Sequence, residues 1–212
     1  MFPDSSKTIL CYGDSNTWGN MPRSDDRYPR SIRWPAVLQT SLGANYEVIS
    51  EGLCGRTLVA EDSTKPHRTG ITHLRAIVES ADPVDLIVIM LGTNDVKSTY
   101  NLSATDIAGH LLQTVEYIRT LSDLEKIPKI LILCPPAVIT PTTEDLDPRM
   151  ERGIELFKVL PDLYEEVAVQ LGCGFINTGE YISSSAIDGY HLDPEGHLKI
   201  AELVKDWVKQ NV

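Results

Sequence analysis

The chain has 212 residues, of which 19 are basic and 30 acidic, for a formal charge of -11. That length suffices for one sizeable core, and no Gly/Ser-rich or charged stretch divides it, so a single domain over residues 1–212 is expected. The charge has the wrong sign for a phosphate backbone, and no run reaches the roughly 18 apolar residues that span a bilayer, so neither nucleic acid nor a membrane is an expected partner. The N-terminal residues lack a cationic segment followed by an apolar one, which points to a cytoplasmic protein.

In chain order, residues 8–12, 46–50, 86–91, 130–134 and 174–177 are short β-rich runs. Between them, residues 32–42, 71–81, 104–121 and 149–171 carry apolar side chains at helical intervals, and residues 194–212 close the chain as a last helix. Asp193 is placed to cap that helix, with Pro194 at its first position, where the missing N–H costs nothing. Regular β-α alternation implies an α/β fold, a doubly wound parallel sheet in three α/β/α layers. The run Leu86-Ile87-Val88-Ile89-Met90-Leu91 is apolar throughout, as expected of a strand buried on both faces. Cys11, Cys54, Cys134 and Cys173 are scattered without a CxxC pair and read as free thiols.

Ligands in such sheets bind beyond the carboxyl ends of the strands. Gly13-Asp14-Ser15-Asn16-Thr17-Trp18-Gly19 follows the first strand, Glu51-Gly52-Leu53-Cys54-Gly55-Arg56-Thr57 the second, and Gly92-Thr93-Asn94-Asp95 the third. The long connections 20–30, 59–69 and 136–148 rise from the same end and are candidate substrate walls or subunit contacts. Serine needs a positioned base, itself held in one tautomer by a carboxylate, to act as a nucleophile. His191 and Asp188, in Asp188-Gly189-Tyr190-His191, suit those roles. Ser15 taken alone reads more readily as a helix cap, an order that the loop context reverses, and Asn94 taken alone as a turn residue. Backbone N–H groups of the glycine loop, the Asn94 amide and the N–H of Ser15 are candidate oxyanion donors.

Taken in order, these blocks resemble the SGNH, or GDSL-type, hydrolase family. The resemblance implies a flavodoxin-like five-stranded fold, Ser15 as nucleophile, Asp188 and His191 completing a triad, and Ser15, Gly55 and Asn94 as oxyanion donors. Gly55 is preferred to Gly52 because Gly55-Arg56-Thr57 fits the family's Gly-x-Thr step, although Ser50 stands where many members carry Asn. Within the family, residues 9–19, Arg33-Trp34, Glu51-Gly52-Leu53 and 90–97 are similar to bacterial arylesterases with acyltransferase and perhydrolase side activities. That similarity implies a serine esterase acting on short-chain aryl or alkyl acetate-type esters through an acyl-enzyme, with transfer to alcohols or peroxide as a variant. It also implies no metal, no cofactor and a homo-oligomer. Trp18, Cys54, Val138 and Ile139 are the candidate lining of a small acyl pocket.

Alternatives remain open at this level. Deacetylation of carbohydrates or lipids, or lysophospholipase activity, suits the same fold. Asp14, Asp95 and Asp188 are a conceivable Mg²⁺ set for phosphoryl transfer. Arg56 and Lys97 are candidates either for recognising an acidic substrate or for structural salt bridges. His197 is expected to be a surface or capping residue, and His67, His73 and His110 have no metal-ligand spacing.

Overall fold

The computed structural model describes residues 6–121, 124–143 and 145–212. Five parallel strands, β1 (Lys7–Gly13), β2 (Tyr46–Gly52), β3 (Leu86–Met90), β4 (Lys129–Cys134) and β5 (Gly174–Asn177), form one sheet in the order β2-β1-β3-β4-β5. Consecutive residues of the central strands feed opposite layers. Leu10, Tyr12, Ile87, Ile89, Ile130 and Ile132 pack on one face, and Ile9, Cys11, Leu86, Val88, Leu131 and Leu133 on the other. Two-sided burial is why these strands are uninterrupted apolar runs.

The first face is covered by α3 (Gly70–Ala81), α4 (Ala104–Arg119) and α6 (Leu160–Leu171) through Leu74, Val78, Leu111, Val115 and Tyr164. The second is covered by α2 (Trp34–Leu42) and α7 (Pro194–Asn211) through Trp34, Leu38, Ile200, Val204 and Val208. Asp193 caps α7, accepting from the Gly196 N–H at 3.0 Å, with Pro194 in the first turn, as the sequence indicates.

The expected helix over 149–171 is broken instead into a 3-10 turn (Pro148–Met150), α5 (Glu151–Leu156) and α6. Pro161 is responsible, because a proline lacks the N–H and its ring clashes with the carbonyl four residues earlier, here Phe157, which ends α5. One short helix, α1 (Ser15–Trp18), begins directly after β1 and ends at Gly19. Its cap is Asp14, whose carboxylate accepts from Asn16 N–H at 2.9 Å, so Ser15 is the first helical residue and not the cap. The side chain of Ser15 is thereby left for other work.

Gly52, at the end of β2, lets α1 sit against the sheet. A Cβ there would lie 2.2 Å from Trp18 N and 2.6 Å from Thr17 C, both backbone atoms that cannot move aside cheaply. Gly52→Ala is therefore expected to cost about 1–3 kcal/mol, the range for overpacking. Urea denaturation checks it, and an unchanged midpoint would mean that α1 adjusts freely.

Candidate active site

The carboxyl ends of β1, β2 and β3 deliver three loops to one place, and residues 188–192 arrive from the other end of the chain. Asp188, His191 and Ser15 stand in line: His191 Nδ1 is 2.7 Å from Asp188 Oδ2, and His191 Nε2 is 3.1 Å from Ser15 Oγ. Asp188 is fully buried, while Ser15 and His191 keep 6% and 9% of their surface exposed. With Nδ1–H committed to the carboxylate, the Nε2 lone pair faces Ser15 Oγ, the tautomer a general base needs. Asp188 Oδ1 also accepts from the N–H groups of Tyr190 and His191, and Oδ2 from that of Arg23. Burial alone would push this carboxyl up, but the hydrogen bonds and the imidazole together hold it below its ordinary value.

Asn16 fastens the two halves of the line. Its Nδ2 donates to Tyr190 O at 3.1 Å and its Oδ1 accepts from Leu192 N–H at 3.0 Å, so it grips the backbone on both sides of His191. Nothing in the sequence distinguished Asn16 from a filler position. Its adjacency to Ser15 was the only available signal.

Ser15, Gly55 and Asn94 share the lining of a cavity of about 690 Å³, with His191 on its wall. Neither the Ser15 nor the Gly55 backbone N–H has an acceptor among the described residues. Gly55 adopts φ +81, a conformation costly for other residues. Gly52 packs closely against α1 and does not line the cavity. The Asn94 amide is oriented from both ends: Oδ1 accepts from Lys97 Nζ at 2.6 Å, and Nδ2 donates to Arg56 O at 3.0 Å and reaches Asp14 Oδ2 at 3.4 Å.

The apolar pocket expected from the sequence is not the one found. Of its four residues, Cys54 lines the cavity, whereas Trp18, Val138 and Ile139 lie outside it. The Trp18 ring is covered by the Arg27 guanidinium, 4.7 Å from its centroid. Val138 is buried in the core, close against Gly153. Ile139 serves through its backbone, its N–H donating to Gly189 O at 2.9 Å and bracing the loop that carries Asp188. Arg56 is structural: it donates to Gly13 O at 2.9 Å and to Glu51 O, and covers the Tyr12 ring. His197 is not at the surface. It lies on the inward stripe of α7, fully buried and edge-on to Tyr28, and burial, then the nearby His191 and Arg33, lower its pKa to about 4. The signal was present in the sequence, since His197 precedes Ile200, Ala201 and Val204 at helical spacing.

The three acids of the metal reading are spent elsewhere. Asp14 caps α1, Asp188 holds His191, and Asp95 accepts from Leu58 N–H with both oxygens at 3.0 and 3.2 Å. Among the described residues no group of three His, Cys, Asp or Glu side chains has metal-site geometry. No helix among them is long and apolar enough to cross a membrane. All four cysteines are free, Cys11 and Cys134 in the core.

The GDSL-like lipase/acylhydrolase family model matches residues 11–199. The chain belongs to this family. It is a hydrolase of the GDSL esterase family, with that family's parallel α/β fold. Among solved structures it is similar to an inhibitor-bound aryl esterase from M. smegmatis, at 30% identity and TM-score 0.91, covering 98% of this chain and 100% of that one. It is similar also to Est24, a carbohydrate acetylesterase from Sinorhizobium meliloti, at 32% identity and TM-score 0.90, with the same coverage. A G-D-S-L family protein from Veillonella parvula, at 17% identity and TM-score 0.69, shares the fold. No curated relative matches the chain by sequence.

Burial raises Asp14 to about 6 and Asp95 to about 7, against an ordinary 3.8, and Asp14 adds repulsion at Asp95. The fold thus favours their protonated forms. The stability they contribute is complete below the unfolded value and is lost as pH rises through 6 to 7. Asp95→Asn, which keeps an acceptor for Leu58 without the charge, is expected to gain in Tm relative to the parent between about pH 5 and about pH 8. Thermal melts across that range check it; a Tm difference independent of pH would contradict a buried, titrating Asp95.

Proposed function

We propose that this GDSL-family hydrolase is a carboxylic ester hydrolase in which Ser15 forms an acyl-enzyme from short-chain aryl or alkyl esters. The reading rests above all on the Asp188–His191–Ser15 alignment, 2.7 Å and then 3.1 Å between heavy atoms, within a cavity open to a small ligand. Ser15 Oγ attacks the ester carbonyl carbon as its proton passes to His191 Nε2. The resulting imidazolium is stabilised by Asp188 and returns the proton to the departing alkoxide. Water then attacks the acyl-enzyme, with His191 again as base, releasing the carboxylic acid and restoring Ser15.

The oxyanion of each tetrahedral intermediate is assigned to the N–H groups of Ser15 and Gly55 and to Asn94 Nδ2, whose second hydrogen makes only the long 3.4 Å contact with Asp14 Oδ2 and would be shared with the oxyanion. Ser15 N–H is at the start of α1, where helix N–H groups have no intrahelical acceptor. Replacing water by an alcohol or peroxide in the second step would make the same residues an acyltransferase or perhydrolase. A second reading, O-deacetylation of a carbohydrate, is supported by the polar cavity wall, which includes Asn20, Ser24, Thr64 and Thr93, and by the likeness to Est24.

Intact-mass analysis after fluorophosphonate treatment is expected to show one adduct on Ser15, with p-nitrophenyl acetate turnover abolished by Ser15→Ala. No adduct and no turnover would overturn the reading. Asn94→Ala is expected to lower kcat by roughly 10²–10³, as loss of one oxyanion donor does. Steady-state kinetics indistinguishable from the parent would remove Asn94 from that role. His191→Ala is expected to be nearly inactive and His197→Leu to retain turnover; the reverse would mean that the base is misassigned.

A further inference from the structure

The cavity that holds Ser15 has the opposite charge balance to the chain. The whole sequence carries 19 basic and 30 acidic residues, yet the cavity is lined by Arg23, Lys65, Arg68, Lys97 and Arg149 against only Asp25 and Asp147. These cations come from separate connections, those after α1, β2 and β3 and the one preceding α5, so their convergence is a property of the fold and not of a local basic run.

Arg149 and Asp147 neutralise each other in an ion pair, 2.6 Å apart with further contacts from Nε at 3.1 Å, which leaves Arg23, Lys65, Arg68 and Lys97 against Asp25. Lys97 is the informative member. It is only partly exposed, its Nζ donates to Asn94 Oδ1, and it forms no ion pair among the described residues. Its ammonium is held below its ordinary value, first by burial and then by the charges of Arg149 and Lys65, which outweigh the opposing pull of Asp14 and Asp147, and all three cations line the same cavity. A partly desolvated ammonium among like charges is an electrostatic cost that a bound anion would relieve. Because Lys97 touches Asn94, an anion meeting it would sit beside the assigned oxyanion donors.

We infer that the substrate is an ester carrying a fixed anionic group, a carboxylate, sulfate or phosphate, which docks against Lys97 and Lys65 while the ester carbonyl lies at Ser15. This rests on the Ser15 hydrolase reading and adds the chemical class of its substrate. The acidic exterior then serves selectivity: anions are repelled over most of the surface and attracted at the cavity, where low-dielectric walls focus the field.

The test compares matched pairs that differ only in charge. On the acyl side, 4-nitrophenyl hydrogen adipate is set against its methyl ester, with the same leaving group. On the alcohol side, 3-acetoxybenzoate is set against methyl 3-acetoxybenzoate, each rate being divided by the rate of alkaline hydrolysis. In at least one pair the anionic ester is expected to be favoured in kcat/KM by about 10-fold or more, the lower end of what a focused field achieves. The favoured pair reports which side of the ester bears the charge. The preference is expected to shrink several-fold in about 1 M salt, where the Debye length is about 3 Å. It is also expected to shrink in Lys65→Gln, an exposed position whose loss does not threaten the fold, and more in Lys97→Met.

Turnover of neutral esters at rates equal to or above those of their anionic partners in both pairs would overturn the inference and leave Ser15 hydrolysis standing. A preference unmoved by salt and by both substitutions would overturn it too, since the charge would then act elsewhere. No turnover of any of the four esters together with no fluorophosphonate adduct would overturn the Ser15 reading, and this inference with it.

Discussion

The site depends on one saturated carboxylate. Asp188 accepts from the N–H groups of Arg23, Tyr190 and His191 and from the His191 ring, so each oxygen is held by two donors and the side chain has no alternative to adopt. A buried charge is tolerated only when satisfied in this way, and satisfaction makes it rigid. His191 takes its orientation from Asp188, and it meets Ser15 where Asn16 ties the backbone around His191 to α1. The distance between the ends of the sequence is bridged by side chain to backbone hydrogen bonds and not by packing alone.

The second constraint is electrostatic. Asp14 and Asp95, in the loops that follow β1 and β3, are buried carboxylates, and burial moves both toward their neutral forms. On the solvent side stand Lys97, Lys65 and Arg149. Asn94 lies between, with its amide oxygen on Lys97 and its nitrogen toward Asp14 and Arg56 O. The amide is thereby fixed in one orientation, and preorganised dipoles are worth most where little water can compete. A rigid donor set next to a basic wall is suited to a reaction that develops negative charge on a substrate already carrying some.

Much of the fold was legible because the relevant signals are local. Strand and helix positions agree with the sequence reading to within a few residues, since apolar periodicity records which faces are buried. The exception, the broken helix around Pro161, followed from a proline whose effect the periodicity did not register. His197 was misplaced for the opposite reason: a histidine was given a polar setting by its type, although its spacing put it on the inward face of α7.

The sequence by itself determined the β-α alternation, the parallel sheet and the loops that hold Ser15, Gly55, Asn94, Asp188 and His191, because chain order in a doubly wound sheet dictates which loops share an end. Only the tertiary structure decided what lines the cavity. Trp18, Val138 and Ile139 were turned away from it into stacking, core and backbone bracing, while Arg23, Lys65, Arg68 and Arg149 were brought in from distant connections. Loops have no repeating geometry, so their paths are set by long-range contacts such as Arg23 N–H to Asp188 and Ile139 N–H to Gly189 O, and no spacing along the chain encodes those.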